Sequence, residues 1–230
     1  MITLFHSVGA RSFRALWALE ELQLAYRLEI LPFPPREKAP GFLAINPLGT
    51  VPLLLDGGTR MTESAMIGHF LAVRAGDDAL AVAPGDVDFG AYLNWLSFGE
   101  ATLTFPQALV LRYSQLEAPE RRQPQVAEDY GRWFSGRLKE VDRALAGRTH
   151  LCAGRFTMAD VSVGYAVLFA DITGLSARFS PALRAYGARL RERPGFGRAL
   201  AAEAQASAEA GVPAEPLRPL GRPHHGPAHA

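Results

Sequence analysis

The chain has 230 residues, 48% of them apolar and 20% charged, enough to bury one large or two modest cores. Its 24 Lys and Arg against 23 Asp and Glu leave a net charge of +1, which excludes the strong field that nucleic acid or an anionic membrane surface would need. The single cysteine, Cys152, excludes an internal disulfide and suits a reducing compartment. With no charged-then-apolar leader and no run of 18 apolar residues, the expected location is the cytoplasm.

In chain order, 2–5 predicts a short strand, broken by Ser7-Val8-Gly9-Ala10. A helix follows from about Ser12, with Phe13, Leu16, Trp17, Leu19 and Leu22 on a wide apolar face. Tyr26, Leu28 and Ile30 alternate as a second strand, ended by Pro32-Phe33-Pro34-Pro35. Strand, helix, strand predicts a right-handed parallel crossover. The stretch 36–46 reads as a loop with a poor helix. Strands over 51–55 and 59–61, joined by Asp56-Gly57-Gly58, predict a hairpin. A helix over about 64–75 ends near Gly76.

Residues 77–86 read as a linker, and beyond it the pattern is helical. The stretch 87–111 predicts one helix with Trp95, Phe98, Phe105 and Leu109 roughly on one face and a kink at Pro106. In the next helix Tyr130, Trp133, Phe134, Leu138 and Val141 recur at threes and fours. Thr157-Met158-Ala159-Asp160 has the form of a capping box with aspartate in place of glutamate, and Phe156 and Val161 form its staple. From 213 to 230, five prolines, three histidines and no apolar period predict a disordered tail. His224, His225 and His229 match no structural zinc spacing, and no metal is expected.

One stretch organises the rest: Asn46-Pro47-Leu48-Gly49-Thr50-Val51-Pro52, closed by Thr62-Glu63-Ser64. Pro52 opens an apolar run yet cannot donate to a sheet ladder. A tight bend there, with Val51–Pro52 in the cis form, turns the Val51 N–H and C=O outward, where an extended peptide can pair with them. The free N–H groups at the start of the following helix, with the Ser64 hydroxyl, attract a carboxylate. Glu63 beside them suits an ammonium. A ligand with a peptide backbone and an amine and carboxylate at one end fits this arrangement.

Asn-Pro-x-Gly-x-Val-Pro-x-Leu followed by Glu-Ser-x-Ala closely resembles the glutathione-binding half of the glutathione S-transferase family. The resemblance covers 1–76 and roughly 90–212. It implies an α/β N-terminal thioredoxin-like domain (1–76), the linker (77–86) and an all-α C-terminal helical domain (87–212). It also implies glutathione as co-substrate, a small apolar electrophile as partner, and a cytoplasmic homodimer engaged in detoxification. Glutathione is expected at Arg11, Val51, Pro52, Glu63 and Ser64, and the second substrate at Trp95, Phe98 and Phe105. Other glutathione-dependent reactions (isomerase, dehalogenase, peroxidase) and a non-catalytic binding module remain alternatives.

The chemistry requires the thiol to ionise. A thiol of pKa about 8.5 is only about 3% thiolate at pH 7, and lowering that by two units takes about 2.7 kcal/mol. A helix N-terminus offers about 0.3–1 kcal/mol, too little alone, whereas a charge-assisted hydrogen bond adds roughly 1.5–3 kcal/mol. Family members place a tyrosine in the first strand, or a serine or cysteine at the first helix. This chain has Phe5 and Arg11 at the tyrosine and cysteine positions, so it resembles bacterial members lacking both. Ser12 is the remaining well-placed hydroxyl, either the thiolate donor or only the helix N-cap, with Ser7 second. Arg11 either meets ligand carboxylates or the thiolate, or is solvated. Cys152, just before the capping box, reads as a buried structural thiol.

Overall fold

A computed structural model describes residues 1–213. The alternating apolar stretch at the N-terminus forms β1 (Ile2–His6), whose buried faces make it an inner strand. The apolar stripe of α1 (Phe13–Glu21) carries the chain over to β2 (Tyr26–Ile30). That strand pairs parallel to β1, from Ile2↔Tyr26 to His6↔Ile30. On the other side β3 (Leu53–Asp56) runs antiparallel to β1 and pairs with β4 (Thr59–Met61), giving the order β2-β1-β3-β4.

Between β2 and β3 lie two single helical turns, α2 (Pro35–Lys38) and α3 (Phe42–Ile45). Phe42 seals a small cluster with Phe5 and Leu53. The hairpin strand starts at Leu53 rather than 51, as befits a proline with no N–H to give the ladder. Next, α4 (Ser64–Ala75) packs against α1 and ends on Gly76 in the left-handed conformation. This mixed sheet with its flanking helices is the thioredoxin-like architecture. The stretch 77–86 is held rather than loose. Leu80, Ala81 and Val82 are buried, the Met158 N–H donates to Leu80 O at 2.8 Å, and Arg155 donates to the carbonyls of Asp78, Ala79 and Ala81.

The rest of the described chain is helical. A long rod runs as α5 (Phe89–Ser97), a π-helical stretch (Phe98–Thr104), α6 (Phe105–Leu111) and a second π stretch (Arg112–Leu116). Pro106 cannot serve as a donor at the start of α6, and the wider turns before it take up that break. α7 (Pro124–Ala144) packs along the rod, and α8 (Met158–Ile172) is buried at the centre. Gly99 lets the rod touch α8, because a Cβ there would lie 2.4 Å from Ser162 Oγ. The capping box of α8 is present: Thr157 Oγ1 accepts the Ala159 N–H at 3.3 Å, and Asp160 Oδ2 accepts the Thr157 N–H at 3.0 Å. Finally α9 (Pro181–Arg191) leads to α10 (Pro194–Ala210), which returns to the first domain and packs on α1. There the ring of Phe196 meets those of Phe13 and Trp17 at 5.6 and 5.2 Å. Truncating a fully buried tryptophan such as Trp17 typically costs about 3–5 kcal/mol, which makes this seam between the two halves a firm one.

Among the described residues no helix is long and apolar enough to cross a membrane. Nor is there, among them, a group of three or more His, Cys, Asp or Glu placed to hold a metal ion. The predicted tail with His224, His225 and His229 lies outside the described residues from 214 onward.

Candidate active site

The sheet and the helical half enclose a cleft of about 280 Å³. One wall comes from three loops: Gly9 to Arg11 before α1, Phe33 to Glu37 after β2, and Gly49 to Val51 before β3. The facing wall is Ala108, Leu111 and Leu116 from the rod with Tyr165 and Phe169 from α8.

The loop before β3 is shaped locally. Asn46 Nδ2 donates to Thr50 O at 2.9 Å, closing the turn. Gly49 sits at φ +61, where a Cβ would fall 2.9 Å from the Leu43 side chain. The Val51–Pro52 peptide is cis. Among the described residues neither the N–H nor the C=O of Val51 has a hydrogen-bond partner, so an extended guest can pair there.

At the mouth of α1, the Ala10 N–H donates to Ser7 O at 3.0 Å and the Phe13 N–H to Ala10 O at 2.9 Å. The N–H groups of Arg11 and Ser12 have no partner among the described residues, and they carry the positive end of the helix dipole. Arg11 lines the cleft with its side chain 39% exposed, and its Nε donates to Glu100 Oε1 at 2.9 Å.

The expectation for Ser12 needs correction. Its side chain is completely buried and outside the cleft lining, with Oγ 2.7 Å from His6 Nδ1 and accepting the Ser7 N–H at 3.3 Å. A ligand sulfur cannot reach it without displacing protein. Nor does it cap α1, because its own backbone is already helical and its hydroxyl bonds to no N–H of the first turn. Ser7 is buried too, with its Oγ unpartnered. Phe5 belongs to the core.

Ser64 opens α4, and Glu63 stands exposed just before it. The N–H groups of Ser64, Ala65 and Met66 have no main-chain acceptor among the described residues, leaving the anion-attracting helix mouth the sequence implies. Neither residue lines the cleft itself. A chain of buried polar contacts connects Ser64 to it through Arg14, all five of whose N–H groups are satisfied. Nε donates to Ser162 O (3.0 Å), Nη1 to Ser64 Oγ (3.1 Å) and Glu100 Oε2 (2.6 Å), and Nη2 to Gly99 O (3.1 Å) and Thr104 Oγ1 (2.6 Å). The guanidinium also lies 4.3 Å over the Tyr165 ring. Burial lowers the Arg14 pKa, and the Glu100 carboxylate opposes that shift. Glu100 therefore bridges two arginines, one buried and one facing the cleft.

The second-substrate expectation also changes. Trp95 is 6% exposed and packs edge-on to the half-buried Phe98 at 5.0 Å, both in the main core. Phe105, 52% exposed, lines a separate hollow of about 160 Å³ with Tyr130, Trp133 and Arg137. A π turn takes more residues than an α turn, so seven such residues set the following side chains out of phase by roughly a third of a turn. Ala108 and Leu111 reach the cleft instead.

The sequence reading missed Arg14, Glu100, Tyr165 and Glu203. Arg14 had a visible signal, a lone charge amid Phe13, Ala15, Leu16 and Trp17 on an apolar helix. The other three are ordinary polar positions on helices, and their partners lie 86 to 197 residues away.

Residues 10–74 match the family model described as glutathione S-transferase, N-terminal domain. The chain is similar to glutathione S-transferase GST-4.5 of Xanthomonas campestris pv. campestris, 31% identical over 153 residues that span 61% of this chain and 71% of that one. It is 29% identical over 168 residues to glutathione S-transferase GstA of Escherichia coli O157:H7, covering 73% and 80% of the two chains. A sphingomonad glutathione S-transferase complexed with glutathione has a similar structure, with a TM-score of 0.76 at 29% identity, covering 88% of this chain and 98% of that one. Two layers, a cleft between them and relatives matched over most of their length agree: the chain belongs to the glutathione S-transferase family.

Proposed function

We propose that this chain binds glutathione along Val51 and the mouth of α4, ionises its thiol at the mouth of α1, and adds it to an apolar electrophile. The observation that carries this reading is the cleft itself. It brings the unpaired Val51 main chain and the half-exposed Arg11 together opposite an apolar wall. With Ser12 buried and Phe5 at the tyrosine position, the chain stands apart from tyrosine- and cysteine-type members, and the thiolate partner is the Arg11 guanidinium with the unpaired N–H groups beside it. Arg11 supplies the charge-assisted hydrogen bond, about 1.5–3 kcal/mol or one to two units of thiol pKa, and the dipole of α1 adds the remainder. Glu63 and Ser64 take the amine and carboxylate of the guest, and Pro52 shapes the turn beneath it. Ala108, Leu111 and Phe169 offer the electrophile an apolar surface.

The exposed Phe105 and Trp133, with Tyr130 stacked on Trp133 at 5.5 Å, support a homodimer formed through this face. The single cysteine, buried and free, supports a reducing compartment such as the cytoplasm. Calorimetry with glutathione, followed by ultraviolet titration of the bound thiol in wild type and Arg11→Ala, tests the site. Submillimolar binding is expected, with the thiol midpoint lowered by about two units in wild type and raised again by one to two in the variant. No binding at millimolar glutathione would sink the reading. The burial of both serine hydroxyls at the α1 mouth, Ser7 and Ser12, favours one alternative, a binding module without catalysis. That alternative gives glutathione binding with an unshifted thiol.

A further inference from the structure

The loop between β1 and α1 decides where the unpaired N–H groups of Arg11 and Ser12 point, yet little of its own sequence holds it. Gly9, at φ +68, gives it a flexible corner. Its main-chain bonds run from Ala10 to Ser7 and from Phe13 to Ala10, followed by the first-turn bonds of α1 to Arg11 and Ser12, and none of them holds Gly9 itself. The remaining restraint on Gly9 comes from the helical half. The Tyr165 hydroxyl of α8 donates to Gly9 O at 3.0 Å. From the other side Glu203 Oε1, on α10, accepts the Gly9 N–H at 3.0 Å. The same carboxylate oxygen lies 2.8 Å from His6 Nε2, and His6 Nδ1 reaches Ser12 Oγ at 2.7 Å. Gly9 is thus held at both its N–H and its C=O, on the two peptide groups that flank its Cα. The carboxylate that clamps it also runs through His6 to the residue that opens α1.

The geometry points to Tyr165 and Glu203 as positioning residues for the thiol: they fix the two peptide groups that flank Gly9, and through them the donors at the mouth of α1, without their polar atoms touching the sulfur. Burial pushes the Tyr165 phenol well above its ordinary pKa, so its hydroxyl stays a donor throughout the working range. Tyr165 lines the cleft, and its hydroxyl donates to Gly9 O. Glu203 does not line the cleft. It nevertheless ties the last described helix to the reactivity of a group bound at the other end of the sequence.

This rests on the proposed glutathione reading, and the test separates the two. Tyr165→Phe keeps the ring over Arg14 and removes only the hydroxyl. Amide exchange at 9–12 should rise about three- to tenfold, the equivalent of one neutral hydrogen bond, with β1 otherwise unchanged. The thiol midpoint of bound glutathione should rise by about half to one unit, while KM for glutathione changes less than twofold and kcat falls. Glu203→Gln keeps an oxygen for the Gly9 N–H and should stay near wild type, whereas Glu203→Ala should behave like Tyr165→Phe. If Glu203→Ala fails to fold, Tyr165→Phe decides alone. A folded Tyr165→Phe with wild-type exchange at 9–12, or with an unchanged thiol midpoint, overturns the positioning role. Wild type that binds no glutathione overturns the glutathione reading instead, and the exchange measurement still judges the clamp.

Discussion

Replacing Arg14 with methionine keeps the length and apolar stem of the side chain and removes the guanidinium alone. The structure sets the scale of the loss. Of five acceptors, Glu100 keeps Arg11, and Gly99 O keeps the Thr104 hydroxyl at 2.7 Å. Ser64 Oγ, Ser162 O and Thr104 Oγ1 lose a buried donor, and Glu100 loses its buried partner. Each unsatisfied neutral acceptor costs about 1–3 kcal/mol, and breaking a buried ion pair by removing one member costs about 3–5 kcal/mol. Because Glu100 is partly exposed and retains Arg11, the lower end applies to the pair, and with three neutral acceptors at about 1 kcal/mol each the expected total is about 6 kcal/mol. That is a large share of the roughly 5–15 kcal/mol that holds a typical domain together. Urea unfolding followed by tryptophan fluorescence measures it, since Trp17 and Trp95 are buried in the joined core. A loss below about 1 kcal/mol would show that the two halves are not locked through this side chain.

Asp160 gives a pH signature. Burial holds its carboxyl up to about 6, against hydrogen bonds from the Thr157 N–H, the Tyr186 hydroxyl and the Leu151 N–H, compared with 3.8 for a free side chain. Below about pH 4 both folded and unfolded states carry the proton. Between 4 and 6 the unfolded chain releases it first, so stability falls with rising pH, by about 3 kcal/mol in all. The difference in unfolding free energy between wild type and Asp160→Asn should follow that slope, and a flat difference would contradict it. Burial also pushes the Cys152 thiol up to about 11. Native protein should therefore resist alkylation at pH 8, and Cys152→Ser should keep most glutathione-dependent turnover. Loss of turnover with an intact fold would refute a structural role for this thiol. Gly99→Ala should destabilise by about 1–3 kcal/mol through overpacking against Ser162, and an unchanged melting temperature would show that the rod can move away from α8.

Local signals carried the architecture. Alternation in 2–5 and at Tyr26, Leu28 and Ile30, the wide stripe of α1 and the Asp56-Gly57-Gly58 turn each act over a few residues. Their order matches the sheet. The capping box at Thr157 and the helix end at Gly76 were legible for the same reason, because caps satisfy backbone groups within one turn. So was the bend at Val51, where a proline cannot join the ladder.

Contacts across the fold escaped the sequence. Ser12 reads as an accessible hydroxyl, but the fold buries it against His6 and the Ser7 N–H, and the donor assignment fails with that burial. Trp95, Phe98 and Phe105 share a face only while the helix keeps its pitch, and the π turns broke that phase. Glu203 meets Gly9 across 194 residues and His6 across 197, with nothing in either neighbourhood to announce the other. Hydrophobic period and backbone capping are written into short windows of chain, and so the sequence by itself determined the elements and the bend. Which polar groups are buried together depends on how those elements dock, and only the tertiary structure decided it.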